Sequence, residues 1–134
     1  SKKPFINLDY PDETPLRLKD IIQKDSEVNI PQYVLNRING NYRDKPIVSD
    51  PECDDLAPTC VAHYSKDRGT RLIKDGNRIR PYTVREYARL QGFPDWFEFC
   101  GSDSDAYRQI GNAVAVPMGR WVGSQIVKYF NGAR

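Results

Sequence analysis

The candidate nucleophiles in this chain are Cys53, Cys60 and Cys100. A reactive thiol needs a neighbouring base or an electropositive pocket that holds it as thiolate. The cysteines are odd in number and form no C-x-x-C pair, which speaks against a disulfide framework and a structural zinc site. Cys60, between Thr59 and Val61, reads as a small buried hydrophobe. His63 is the single histidine and reads as a packed or phosphate-facing side chain, since it has no partner ligand for a metal. The basic residues are more suggestive. Residues 1–60 hold 8 Lys/Arg against 11 Asp/Glu, whereas residues 61–134 hold 12 against 7. Lys66, Arg68, Arg71, Lys74, Arg78, Arg80, Arg85 and Arg89 face only Asp67, Asp75 and Glu86 in their own stretch. Cations at this density attract polyanions by counterion release. A solvated basic face gives the same count, so charge alone leaves both readings open.

The elements that must position these residues are short. Thr14-Pro15 before Leu16, Leu18, Ile21 and Ile22 predicts a capped helix. Pro31 before Val34, Leu35 and Ile38, closed by Gly40, predicts another. Residues 39–55 are polar and punctuated by Gly and Pro, and are expected to be loop. Ala57 to Tyr64 alternates enough for a strand. Arg71–Lys74 and Asn77–Tyr82 predict a hairpin turned by Asp75-Gly76. Between these strands lies Ser65-Lys66-Asp67-Arg68-Gly69-Thr70, a loop rich in donors. Its Arg and Lys can reach phosphates or guanine edges, and Gly69 permits close backbone approach.

Thr83-Val84-Arg85-Glu86 is a capping box that starts a helix, and Gly92 and Pro94 end it. Arg85 and Arg89 share a face of that helix, so either an anionic neighbour or a local carboxylate such as Glu86 must offset them. A last helix starts at Pro117 and ends before Gly132. It carries Met118, Trp121, Val122, Ile126, Tyr129 and Phe130 at helical spacing. So wide an apolar stripe either completes the core or docks on something outside this chain. The fold class expected is mixed α/β (α+β), with few short antiparallel strands. No apolar run reaches the roughly 20 residues of a membrane span, and the cysteine usage fits a reducing, cytoplasmic setting.

Two longer runs carry a resemblance. Arg80-Pro81-Tyr82-Thr83-Val84-Arg85-Glu86-Tyr87-Ala88-Arg89-Leu90-Gln91-Gly92-Phe93-Pro94-Asp95 resembles the ninth conserved block of DNA (cytosine-5) methyltransferases. Tyr107-Arg108-Gln109-Ile110-Gly111-Asn112-Ala113-Val114, followed by Pro117, resembles their tenth and last block. Ala57-Pro58-Thr59 and the loop after it look like the end of the family's variable target-recognition region. The two blocks stand in the family's order and spacing across about half the chain, which is far more specific than a short motif.

The resemblance implies that such an enzyme flips a cytosine out of double-stranded DNA. A cysteine after a proline then attacks C6, a glutamate assists at N3, and S-adenosylmethionine donates its methyl group to C5. It implies a catalytic domain with a doubly wound sheet and a smaller domain that reads DNA. Residues 1–100 would be the recognition domain, and 101–134 would return to the catalytic domain. Carried over by position, Asn112, Ala113 and Val114 become cofactor-lining candidates. Ala113 stands where serine is usual, so only a backbone contact is expected there. A helix C-cap is the structural alternative for Gly111-Asn112. Thr59, Ser65, Lys66, Arg68, Gly69, Thr70 and Arg71 match the DNA-contacting region, as do Arg43 and Lys45 in the earlier loop. Arg85, Glu86, Arg89, Gln91 and Gly111 are expected to be structural.

The cysteines follow Glu52, Thr59 and Phe99, so there is no Pro-Cys dipeptide. Nor is there a Glu-Asn-Val run or a glycine-rich strand-to-helix turn. The expectation is therefore the recognition part of a DNA (cytosine-5) methyltransferase of restriction-modification type, inactive alone. A separate small subunit is favoured over a piece of a longer chain. Its catalytic partner would dock on Trp121, Val122, Ile126 and Tyr129. A stand-alone DNA-binding module is the main alternative, and a protein-interaction domain without a nucleic-acid role is a third.

Overall fold

Tyr64, Tyr82, Tyr87 and Tyr107 come from three stretches of chain, and the fold is built where they meet. The computed structural model describes residues 8–9, 11, 16–24, 26–41, 46–53, 56–66 and 68–132. The elements run α1 (Leu18–Ile21), α2 (Gln32–Asn39), β1 (Ile47–Ser49), a 3-10 turn (Pro51–Cys53), β2 (Arg71–Asp75), β3 (Arg78–Pro81), α3 (Val84–Leu90), α4 (Asp103–Asn112) and α5 (Val116–Gly132). Thr14 and Pro15, expected to open the first helix, lie outside the described residues. None of the described helices is long and apolar enough to cross a membrane.

The hairpin forms as expected, with Ile73 opposite Arg80 and Asp75 opposite Arg78. Its turn falls one residue later than Asp75-Gly76 predicts, on Gly76 and Asn77, and Gly76 takes the positive φ of 60° that favours glycine. Two expectations fail. Residues 39–55 are not all loop, because Ile47–Ser49 adds a parallel strand beside β2, in register Ile47 with Arg71. This β1 is only three residues long and exists because β2 offers it a free edge. The Ala57–Tyr64 strand is absent: that stretch turns, with Tyr64 N donating to Val61 O and Lys66 N to His63 O. Its amides find other partners, and Pro58 has none to give. The Tyr87 hydroxyl accepts from Val61 N at 2.5 Å and donates to Val61 O at 3.2 Å.

α3 starts where its capping box predicts. Thr83 Oγ1 accepts from Glu86 N, and Glu86 Oε2 accepts from Thr83 N at 2.8 Å. Gly92, at φ 78°, lets the chain leave the helix. α4 has a second capping box, Ser102 with Asp105. It packs on α3 and lends Tyr107 and Ile110 to the same core as Ile73, Tyr82, Tyr87 and Ala88. Tyr64 stacks on Tyr87 at 4.5 Å, and Tyr107 meets both rings edge-on. Burial pushes the Tyr82 and Tyr107 hydroxyls up to about 12, so the cluster is neutral and packs as aromatic core.

Candidate functional site

The cations from Lys66 to Arg89 divide into two groups. Arg80 is buried between two carboxylates: its guanidinium donates to Glu86 at 2.7 and 2.8 Å and to Asp75 at 2.8 Å. Burial works to lower its pKa, but the Glu86 and Asp75 partners outweigh that and hold it above the usual arginine value. Lys74 pairs with Asp50 at 2.7 Å, and Arg78 with Asp75 at 3.2 Å. Arg89 forms a two-pronged bond to Asp95 at 2.8 and 2.7 Å, while Arg85 donates to the carbonyls of Phe97 and Pro94. The Arg85/Arg89 face is thus satisfied inside the protein by Asp95 and carbonyls, not by Glu86, which is committed to Arg80. These side chains tie the domain together instead of forming a free basic surface.

Lys66, Arg68 and Arg71 are placed differently. Lys66 is exposed. Arg68 rests over the Tyr107 ring, 5.2 Å from its centre. Arg71 is half-buried; its Nη1 donates to Thr70 Oγ1 at 3.2 Å, while its Nε is buried without a partner. Thr59 is exposed, and Ser65 Oγ accepts from Ser104 Oγ at 3.0 Å. Gly69 serves packing: a side chain there would run into Val34 of α2. Ser65, Lys66, Arg68, Thr70 and Arg71 therefore share one segment, seated on α2, α4 and the tyrosine core. Arg43 and Lys45 lie outside the described residues. His63 is exposed, and the described residues contain no cluster of three metal-ligating side chains.

Asn112, Ala113 and Val114 follow from α4. Asn112 is its last residue and exposed, and Val114 is 69% exposed. Gln91, at the end of α3, fixes this edge. Its Nε2 donates to Ile110 O at 3.0 Å and Ala113 O at 3.1 Å, while its own carbonyl accepts from Val116 N at 2.8 Å. Gly111 is no left-handed C-cap. It lies within α4, where any side chain would collide with the backbone of Val61 and Ala62. Asn112 thus presents an exposed carboxamide beside a backbone edge braced by Gln91.

The Cys60 thiol is not set up as a nucleophile. Burial pushes Cys60 up to about 11, so it stays protonated at neutral pH, and its Sγ lies 4.0 Å from Tyr87 O. Cys53 and Cys100 are exposed on the surface.

α5 projects a face with little cover. Met118, Val122, Ile126 and Phe130, four residues apart, are 50%, 42%, 46% and 64% exposed. The neighbouring stripe is better covered. Trp121 Nε1 donates to Asp9 O at 3.1 Å, buried Gln125 accepts from Asp9 N at 3.2 Å, and Lys128 pairs with Asp9 at 2.7 Å.

The fold is shared with solved structures. The chain superposes on the Dnmt2 methyltransferase of S. pombe with a TM-score of 0.70 at 19% identity, covering 90% of this chain and 44% of that one. That likeness shows the fold. The model of the C-5 cytosine-specific DNA methylase family matches residues 8–128, and the chain belongs to that family. It is 52% identical over 78 residues to the type II methyltransferase M.Sau96I of Staphylococcus aureus, covering 58% of this chain and 18% of that protein. It is 67% identical over 89 residues to the type II methyltransferase M.HgiCI of Herpetosiphon aurantiacus, covering 63% of this chain and 21% of that protein. The chain thus spans only about a fifth of these relatives.

Proposed function

We propose that this chain is the DNA-recognition part of a cytosine-5 DNA methyltransferase, and that another stretch of polypeptide supplies the catalytic cysteine. The observation that carries the reading is the open face of α5. A 17-residue helix with four large apolar side chains half-exposed along one line implies a partner surface, because contiguous apolar patches mark binding sites. The catalytic domain is that partner. It would sit beside Asn112, Ala113 and Val114, so that these residues complete one wall of its S-adenosylmethionine pocket. When bound there, S-adenosylmethionine supplies an electrophilic methyl group.

The residues of this chain bind and orient. Lys66, Arg68 and Arg71 offer cations to the phosphates or guanine edges of a duplex from which a cytosine is flipped, and Ser65, Thr59 and Thr70 offer hydroxyl donors. Gln91 holds the cofactor wall in place. Residues 1–100 read DNA in this division and 101–134 return to the catalytic domain, with α4 seated on α3 and α5 extending outward. The assembled enzyme works on cellular DNA.

Replacing Val122 and Ile126 with serine separates this reading from a stand-alone DNA-binding module. Association with the catalytic polypeptide is expected to weaken by at least about 30-fold, as for loss of central apolar anchors, while DNA binding persists. Unchanged association would favour the stand-alone module.

A further inference from the structure

One face of α4 is matched to the recognition segment. Ser104 bonds Ser65, the Tyr107 ring lies under Arg68 and edge-on to Tyr64, and Gly111 admits the backbone of Val61 and Ala62. Positions 104, 107 and 111 fall on one helical face, and the segment runs antiparallel along it. Tyr107 is the member of this row that touches a candidate DNA cation. Its ring is fixed on several sides: the hydroxyl donates to Tyr82 O at 2.7 Å, and the ring meets Tyr64 and Tyr87 at 5.2 and 5.5 Å. A ring locked this way presents its π face in one orientation. A guanidinium resting on it gives up rotamer freedom before any ligand arrives, yet keeps its N–H edge available for acceptors.

We propose that Tyr107 is a positioning residue for DNA recognition, holding the Arg68 guanidinium in its DNA-contacting orientation. The proposal rests on the reading that the segment from Ser65 to Arg71 contacts DNA. Tyr107 touches no DNA in it and acts through Arg68. In this way a helix that ends in the cofactor wall also sets the geometry of a DNA contact.

A double-mutant cycle tests this on the full chain assembled with its catalytic polypeptide. The probe is duplex DNA selected by that assembly from a random library, and affinity is measured against salt. Tyr107→Phe keeps the ring and should stay within about twofold of the parent. Tyr107→Leu should weaken binding about three- to tenfold, yet cost nothing further in an Arg68→Met background. Equal losses in both backgrounds would overturn the proposal. Should Tyr107→Leu not fold, Arg68→Lys is the second arm. It keeps the charge and gives up the planar stack, so it should lose about two- to fivefold with the salt slope unchanged, and no loss overturns the proposal. If Arg68→Met leaves DNA affinity intact, the DNA-contact reading of the loop fails and this proposal falls with it. If Arg68→Met weakens binding without coupling to Tyr107, this proposal alone fails.

Discussion

Arg80 pairs with two carboxylates, Asp75 and Glu86. It is buried with Glu86, joins the hairpin to α3, and also donates to Gln23 O at 3.0 Å. Glu86 Oε1 in turn accepts from Gln23 N at 2.7 Å, so the pair also anchors the chain after α1. Removing one partner of such a pair leaves a buried charge without its counterpart, which is strongly destabilising. Glu86→Gln is expected to cost about 3 kcal/mol in urea unfolding, at the low end of the range because Asp75 still faces Arg80. Arg80→Met combined with Glu86→Leu should recover part of that loss. The sequence showed Glu86 as a capping residue but not as the counter-ion of Arg80. It also could not show which cations were spoken for. Lys74 finds Asp50, 24 residues away, and only folding reveals such a partner.

Among the elements, those with local signals were legible and those made by tertiary contact were not. Asp75-Gly76 and the Thr83–Glu86 box act within a few residues, so the hairpin and α3 could be read directly. The stripe on α5 was legible for the same reason, since its period lies in one continuous run. β1 depends on the edge of β2, some 24 residues later, and its three residues carry no pattern of their own. The stretch 57–64 alternates like a strand, but the Tyr87 hydroxyl takes up the backbone of Val61. α4 was missed although Ser102 and Asp105 form a capping box that sequence alone displays. Gly111, expected to be structural, owes its role to a tertiary contact: α4 needs it to lie against Val61 and Ala62. Gly111→Ala is accordingly expected to destabilise the protein by about 1–3 kcal/mol through overpacking, measured by urea unfolding. Gly119→Ala, where nothing crowds the added carbon, should not destabilise it.

At the scale of the whole molecule, the chain has a core that fixes the segment around Arg68 and a helix whose apolar face exceeds what that core covers. The braced edge at Asn112–Val114 lies between them. In the proposed assembly a catalytic domain covers the apolar face of α5 and meets the Asn112–Val114 edge, while DNA meets the cations around Arg68. That domain carries a Pro-Cys block and a glycine-rich turn. The direct test is transfer of a labelled methyl group from S-adenosylmethionine to duplex DNA, by this chain alone and after mixing with such a polypeptide. No transfer above background is expected from the chain alone, and C5-methylcytosine at a defined sequence is expected on mixing. Methylation by the chain alone would overturn the proposed division of labour.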